Sequence, residues 1–156
     1  MNNTVTGKAV VGGIIGWGGS ATLIDCENYG TITATGIYIE SNTAYSYIGG
    51  LAGSCNSITN GKNVVNITGT ANRVGGLAGY ATGTITDSQN DGDITGKTQT
   101  GGLAGYVSGN IIESNNYGAV TGENNTGGLA GYFAGSKIDN STNEGVVSGD
   151  DYTGGL

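Results

Sequence analysis

Apolar and polar positions along this chain recur with a period of 26 residues. Leu51, Leu77, Leu103 and Leu129 each follow a Gly-Gly pair, and Ile14 takes the same place near the start. A second apolar column holds Leu23, Ile58, Ile85, Ile111 and Ile138. A third holds Val5, Ile32, Ile67, Ile94, Val120 and Val147. The residues around them are rich in Thr, Ile, Val and Tyr, and no window shows apolar residues at helical spacing, so the pattern predicts strand throughout. Three apolar columns separated by glycine turns predict three short strands per coil around a narrow core. The expected fold is all-β: a parallel β-helix (β-solenoid) of about 26 residues per coil and roughly five coils, with backbone bonds joining coils about 4.7–4.9 Å apart.

Aligned copies give the consensus x-G-G-L-A-G-Y-x-x-G-x-I-x-D-S-x-N-x-G-x-(I/V)-T-G. The chain reads as one repeat domain over 1–156: a partial repeat at 1–10, coils at 11–47, 48–73, 74–99, 100–125 and 126–152, and a truncated repeat at 153–156. The last full coil has one extra residue, the coil at 48–73 lacks one near Ser57, and the coil at 11–47 carries an insertion at about 35–45. Both ends fall within a repeat, which predicts a segment of a longer array with Met1 added to it. The opening residues MNNTVTGKAVVGG lack the charged and apolar regions of a signal peptide, so an export signal is expected to lie outside this sequence.

The polar column Asn28, Asn63, Asn90, Asn116 and Asn143 predicts an internal amide ladder, each side chain bonding its equivalents above and below and satisfying turn backbone. Two residues further on stands a glycine column in which Asn3 replaces Gly, which suggests a left-handed backbone there. Val65 interrupts that column and predicts local irregularity in its coil.

Composition narrows the function classes. The chain has 33 glycines and no proline, which suits close-packed turns and strands whose every N–H is used. Five basic against twelve acidic residues give a net charge of −7 with no basic cluster. Binding to a nucleic-acid backbone or to anionic lipid is not expected, and no apolar run is long enough to insert in a membrane.

With these residues in view, the repeated G-G-L-A-G-Y, the following I-x-D-S-x-N-x-G and the terminal (I/V)-T-G resemble the GLUG motif over nearly the whole chain. That repeat occurs in large bacterial surface and secreted proteins, including adhesin-like proteins and some surface peptidases. The resemblance implies an extracellular or cell-surface bacterial β-solenoid, and it brings no catalytic residue, cofactor or metal.

Candidate contact residues are those that break or decorate the pattern. Tyr80, Tyr106 and Tyr132 share one column, with Trp17 at its head and Ser54 interrupting. Strict alternation from an inward Leu77 turns Tyr80 outward, where it either stacks on sugar rings or partner aromatics or simply stabilises the rod. The insertion adds Ile37-Tyr38-Ile39-Glu40 and Tyr45-Ser46-Tyr47, whose alternation predicts an extra strand or hairpin arm. Tyr38, Tyr45 and Tyr47 there are candidates for a partner contact, because irregular loops on regular scaffolds carry specificity.

Other chemistry finds fewer parts. The acidic column Asp25, Asn60, Asp87, Glu113 and Asp139-Asn140 lacks the calcium-binding β-roll pattern and is expected to accept turn N–H bonds in solvent. Asp87, Asp91, Asp93 and Glu113 are the carboxylates a polysaccharide-acting enzyme would need, but they follow the repeat, and the chain has no histidine. The threonine column Thr6, Thr33, Thr68, Thr95, Thr121 and Ser148 raises an ice-binding face, though the neighbouring column (Thr4, Thr31, Asn66, Asp93, Ala119, Val146) decays after two coils. Cys26 and Cys55 face inward in successive coils, either bonded or as two buried thiols. The reading is therefore a non-catalytic spacer or adhesive surface, with a host or cell-surface glycan or protein as partner and end-to-end self-association as a further possibility.

Overall fold

The computed structural model describes residues 4–36, 38–40 and 43–156, and they form a β-solenoid of parallel sheets with no helix. One coil shows the plan: strands Arg73–Gly75, Ala78–Ala81, Ile85–Thr86, Gln89–Asn90 and Ile94–Thr95 follow one another around the rod. Each pairs in parallel with its equivalents in the coils before and after. Thus a coil contributes five strand segments, where the apolar columns alone predicted three. The additional segments are built on the asparagines and on the residues before each Gly-Gly pair, positions whose inward side chains are amide, Val or Thr rather than uniformly apolar. Together the segments make two six-stranded sheets, one five-stranded sheet and one eight-stranded sheet.

The apolar interior has two parts. The leucine column, the alanines after it and Ile58, Ile85 and Ile111 form one cluster; Val11, Ile32, Ile48, Ile67, Val74, Ile94 and Val120 form the other. Leu77, Leu103, Ile85 and Ile111 are fully buried. Burying a side chain of this size stabilises by about 1.5–3 kcal/mol relative to exposure, and every coil repeats the gain.

The asparagines form a continuous ladder. Asn28 Nδ2 donates to Asn63 Oδ1 at 2.9 Å, Asn63 to Asn90 at 2.8 Å, Asn90 to Asn116 at 2.7 Å and Asn116 to Asn143 at 2.8 Å. Each Nδ2 also donates to the backbone carbonyl two residues on, at Gly30, Val65, Gly92, Gly118 and Gly145. Val65 therefore takes its place without the break expected there. The second glycine of each Gly-Gly pair lies against this ladder: a Cβ on Gly76 would overlap Gly102 O and the amide of Asn90.

The left-handed backbone sits elsewhere than expected. No described glycine has a positive φ; the position belongs to Asp25, Asn60, Asp87, Glu113 and Asn140, and outside that column to Asn125 and Tyr152, with φ between 44° and 53°. Asp and Asn tolerate that region through local hydrogen bonding, which accounts for their recurrence in the column. The glycines two residues after the asparagines are required by proximity instead, since a Cβ on Gly92 would meet the Val65 carbonyl of the adjacent coil.

The turn N–H groups of this corner go to serine, not to the acids. Ser88 N donates to Ser114 Oγ at 3.1 Å and Ser114 N to Ser141 Oγ at 3.1 Å. Each serine hydroxyl in turn donates to the carbonyl two residues before it. Cys26 holds the same position in the first coil, its Sγ donating to Ile24 O at 3.3 Å.

Candidate interaction surface

The corner after each Gly-Gly pair aims one side chain outward per coil. Backbone pairing places Trp17, Ser54, Tyr80, Tyr106 and Tyr132 in register. Leu77 and Ala81 are buried while Tyr80 and Tyr106 are half-exposed, and Trp17 and Tyr132 are open to solvent at 58% and 47%. The aromatic column thus faces outward.

Ser54 does not leave a gap. Tyr47, which belongs to the coil strand Tyr47–Gly49 and pairs with Val10 and Arg73, swings its ring across the buried Ser54. Its centroid lies 6.0 Å from Trp17 and 5.4 Å from Tyr80; Tyr80 lies 5.0 Å from Tyr106, and Tyr106 5.2 Å from Tyr132. Five rings therefore run without interruption along the rod. These separations exceed a face-to-face contact of about 3.5–4.0 Å, so the rings are offset; Tyr80, Tyr106 and Tyr132 keep part of their surface open, and Tyr47 is buried among its neighbours.

Arg73 joins this row from the neighbouring column. Its guanidinium carbon lies 5.0 Å from the ring centroid of Tyr47, 4.8 Å from Tyr80 and 4.7 Å from Tyr106. Its Nε donates to Gln99 Oε1 at 2.8 Å. Three rings and an amide hold the cation in place, the rings through their negative faces.

The insertion forms the antiparallel pair Tyr38–Glu40 and Thr43–Tyr45, with Tyr38 opposite Tyr45. This is a hairpin arm, as the alternation predicted. The side chains of Tyr38 and Tyr45, and all of Ile37, lie outside the described residues. Tyr47, which the alternation groups with the insertion, stands instead in the solenoid wall. Sequence reasoning missed Arg73 and Gln99 altogether. The signal was present in their register with Tyr47, but only the pairing of the strand before Gly-Gly reveals it.

The carboxylates serve local contacts. Lys62 Nζ lies 3.1 Å from Asp91 Oδ2, and Asp93 Oδ1 accepts from Ala119 N at 2.9 Å. Asn60 Nδ2 donates to Asp25 Oδ1 at 2.8 Å. A hydrogen bond with Asp87 and the charge beside it hold the exposed Glu113 carboxyl above its ordinary range, with Asp139 adding to the repulsion. Among the described residues no group of three or more acidic, His or Cys side chains is placed to hold a metal ion.

Thr33, Thr68 and Thr95 are exposed in register and border a shallow groove of about 650 Å³ that Lys97 and Glu123 close at one end. The rank beside them passes from Thr31 to Asn66 and Asp93, both engaged with backbone N–H groups, and ends in Val146. It offers no regular second rank. Both cysteines are free thiols; Cys55 is fully buried, and burial pushes its thiol up to about 12.

Comparison with known families matches residues 70–95 to the GLUG motif, a stretch that includes Arg73, Tyr80 and Asn90. Neither the curated proteins nor the solved structures contain a match. Residues 70–95 thus carry a GLUG motif within a repeat region folded as a β-solenoid.

Proposed function

We propose that this solenoid is a non-catalytic repeat segment that spaces and presents an adhesive surface outside a bacterial cell, and that its partner is a carbohydrate chain. The observation that carries the reading is the unbroken row Trp17, Tyr47, Tyr80, Tyr106 and Tyr132, in which a ring from a second column replaces the one lost at Ser54. A rod stabilised only by its core has no need of that repair. Offset rings with exposed strips suit the C–H faces of sugars, and phenolic hydroxyls beside them suit sugar hydroxyls. Solenoids present extended surfaces of this kind to elongated partners.

The non-catalytic part of the reading is supported by the engagement of Asp91, Asp93 and Asp25 with neighbours of the repeat. An extracellular bacterial location rests on the GLUG resemblance. A glycan array tests the proposal: the chain should bind a subset of oligosaccharides, and replacing Tyr80 and Tyr106 together by Leu should remove the signal. Retention of binding by that variant, or an array with no binding, would refute it. Hydrolysis of a polysaccharide panel that is lost with Glu113→Gln would refute the non-catalytic part.

A further inference from the structure

Arg73 is the chain's only arginine, and among the described residues it has no anionic partner. The sequence holds twelve acidic residues against five basic ones, yet none of the ion pairs among the described residues involves Arg73. The two columns that make the surface, Val10-Tyr47-Arg73-Gln99 and Trp17-Ser54-Tyr80-Tyr106-Tyr132, contain no carboxylate at all. In a protein of net charge −7, neither of these columns sets a carboxylate beside the guanidinium.

The cation is also prepared for a ligand. Nε is occupied by Gln99 Oε1, and three tyrosine rings surround the guanidinium carbon at 4.7–5.0 Å. The remaining donors are those of the two terminal nitrogens, whose outer edge is spaced for two parallel bonds to one carboxylate. Rings that fix the guanidinium lower the entropy lost when those bonds form. Arg73 lies beside Tyr80 and Tyr106, so a carboxylate bound there holds its carrier against the aromatic row.

We infer that this surface recognises a carboxylated sugar, with Arg73 binding the uronate carboxylate end-on and Tyr80 and Tyr106 receiving the pyranose ring. The inference rests on the carbohydrate reading above and specifies the ligand class at the same site. A sugar is favoured over an acidic peptide because the cation is set in a row of aromatic rings that can receive the C–H face of a pyranose, a face that a glutamate side chain does not have. No group is transferred and no bond is broken.

The test is calorimetric titration of the chain with a hexamer of galacturonic acid, with its methyl-esterified counterpart and with a hexamer of glutamate. The acid should bind at least about tenfold more tightly than the ester, as expected for loss of a charge-assisted bidentate pair, and the difference should shrink as salt is raised. Arg73→Gln and Arg73→Lys should each abolish the preference, with thermal melts showing that both variants fold. The salt and ester comparisons on the unaltered chain hold even if a variant does not fold. Equal binding of acid and ester overturns the carboxylate inference and leaves the carbohydrate reading standing. Binding of neither sugar overturns the uronate inference while the glycan array decides the carbohydrate reading, and equal or tighter binding of the glutamate hexamer overturns the choice of ligand class.

Discussion

The ring of Tyr47 stacks on that of Tyr80 at 5.4 Å although the two residues belong to different columns of the repeat. Tyr47 comes from the strand before a Gly-Gly pair, Tyr80 from the strand after the next one. Their meeting joins the two columns into one surface and brings Arg73 into contact with both rings.

Replacing Tyr47 by Ala should therefore cost more than a surface change. The side chain is buried, and it touches Trp17, Tyr80 and Arg73. A loss of about 3 kcal/mol is expected, in the range for a buried aromatic truncated to Ala. Urea unfolding measures it, and a double-mutant cycle with Arg73→Gln should return a coupling of about 0.5–2 kcal/mol for the cation–ring contact.

The asparagine ladder predicts a gradient along the rod. Asn90 donates to Gly92 O and to Asn116 and accepts from Asn63, all fully buried partners or neighbours. Asn90→Ala orphans several buried polar groups and should cost about 3 kcal/mol or more. Asn143 is only half-buried; it donates to Gly145 O and accepts from Asn116, which keeps its bond to Gly118 O, so Asn143→Ala should cost less, about 1–2 kcal/mol. Equal losses in denaturant melts would contradict the account of the ladder as a buried relay.

The ladder also marks how far the sequence could be read. Its five asparagines, the leucine column and the two isoleucine-rich columns were legible because each residue meets its own equivalent one coil away. What escaped were contacts between different columns: Tyr47 over Ser54 and Arg73 among the tyrosines. These depend on where one strand ends relative to the next within a coil, which a period does not encode. The left-handed corner was misplaced for a related reason. Glycine has two uses, positive φ and absence of a Cβ, and at Gly92 the second applies while Asp87 takes the first.

Thr100 and Thr126 offer a gain in stability. They continue inward the column of Ile48 and Val74, and their buried Oγ1 atoms have no hydrogen-bond partner. Thr126→Val keeps the shape and removes the unsatisfied hydroxyl, so a stabilisation of about 1 kcal/mol is expected from the unfolding midpoint. The reverse change, Val74→Thr, should destabilise by a similar amount.

Stability should also respond to pH through Glu113. Asp87 raises its carboxyl above the ordinary 4.5, so the folded chain holds that proton more tightly than the unfolded chain. The resulting stabilisation is complete below 4.5 and is lost as pH rises through the folded value. Glu113→Gln removes the clash between two carboxylates. The variant should melt above the wild type at pH 7 and lose that advantage at pH 4. A variant that melts lower at pH 7 would contradict the assignment.

The central claim is that contact chemistry lies on the aromatic corner and not on the repeat that builds the rod. Amide and aromatic shift mapping during titration with a glycan that binds in the array tests it most directly. Shifts should concentrate at Trp17, Tyr47, Arg73, Tyr80, Tyr106 and Tyr132, with the threonine rank at Thr33, Thr68 and Thr95 unmoved. Shifts centred on the threonine rank, or on the acidic corner at Asp87 and Glu113, would contradict it.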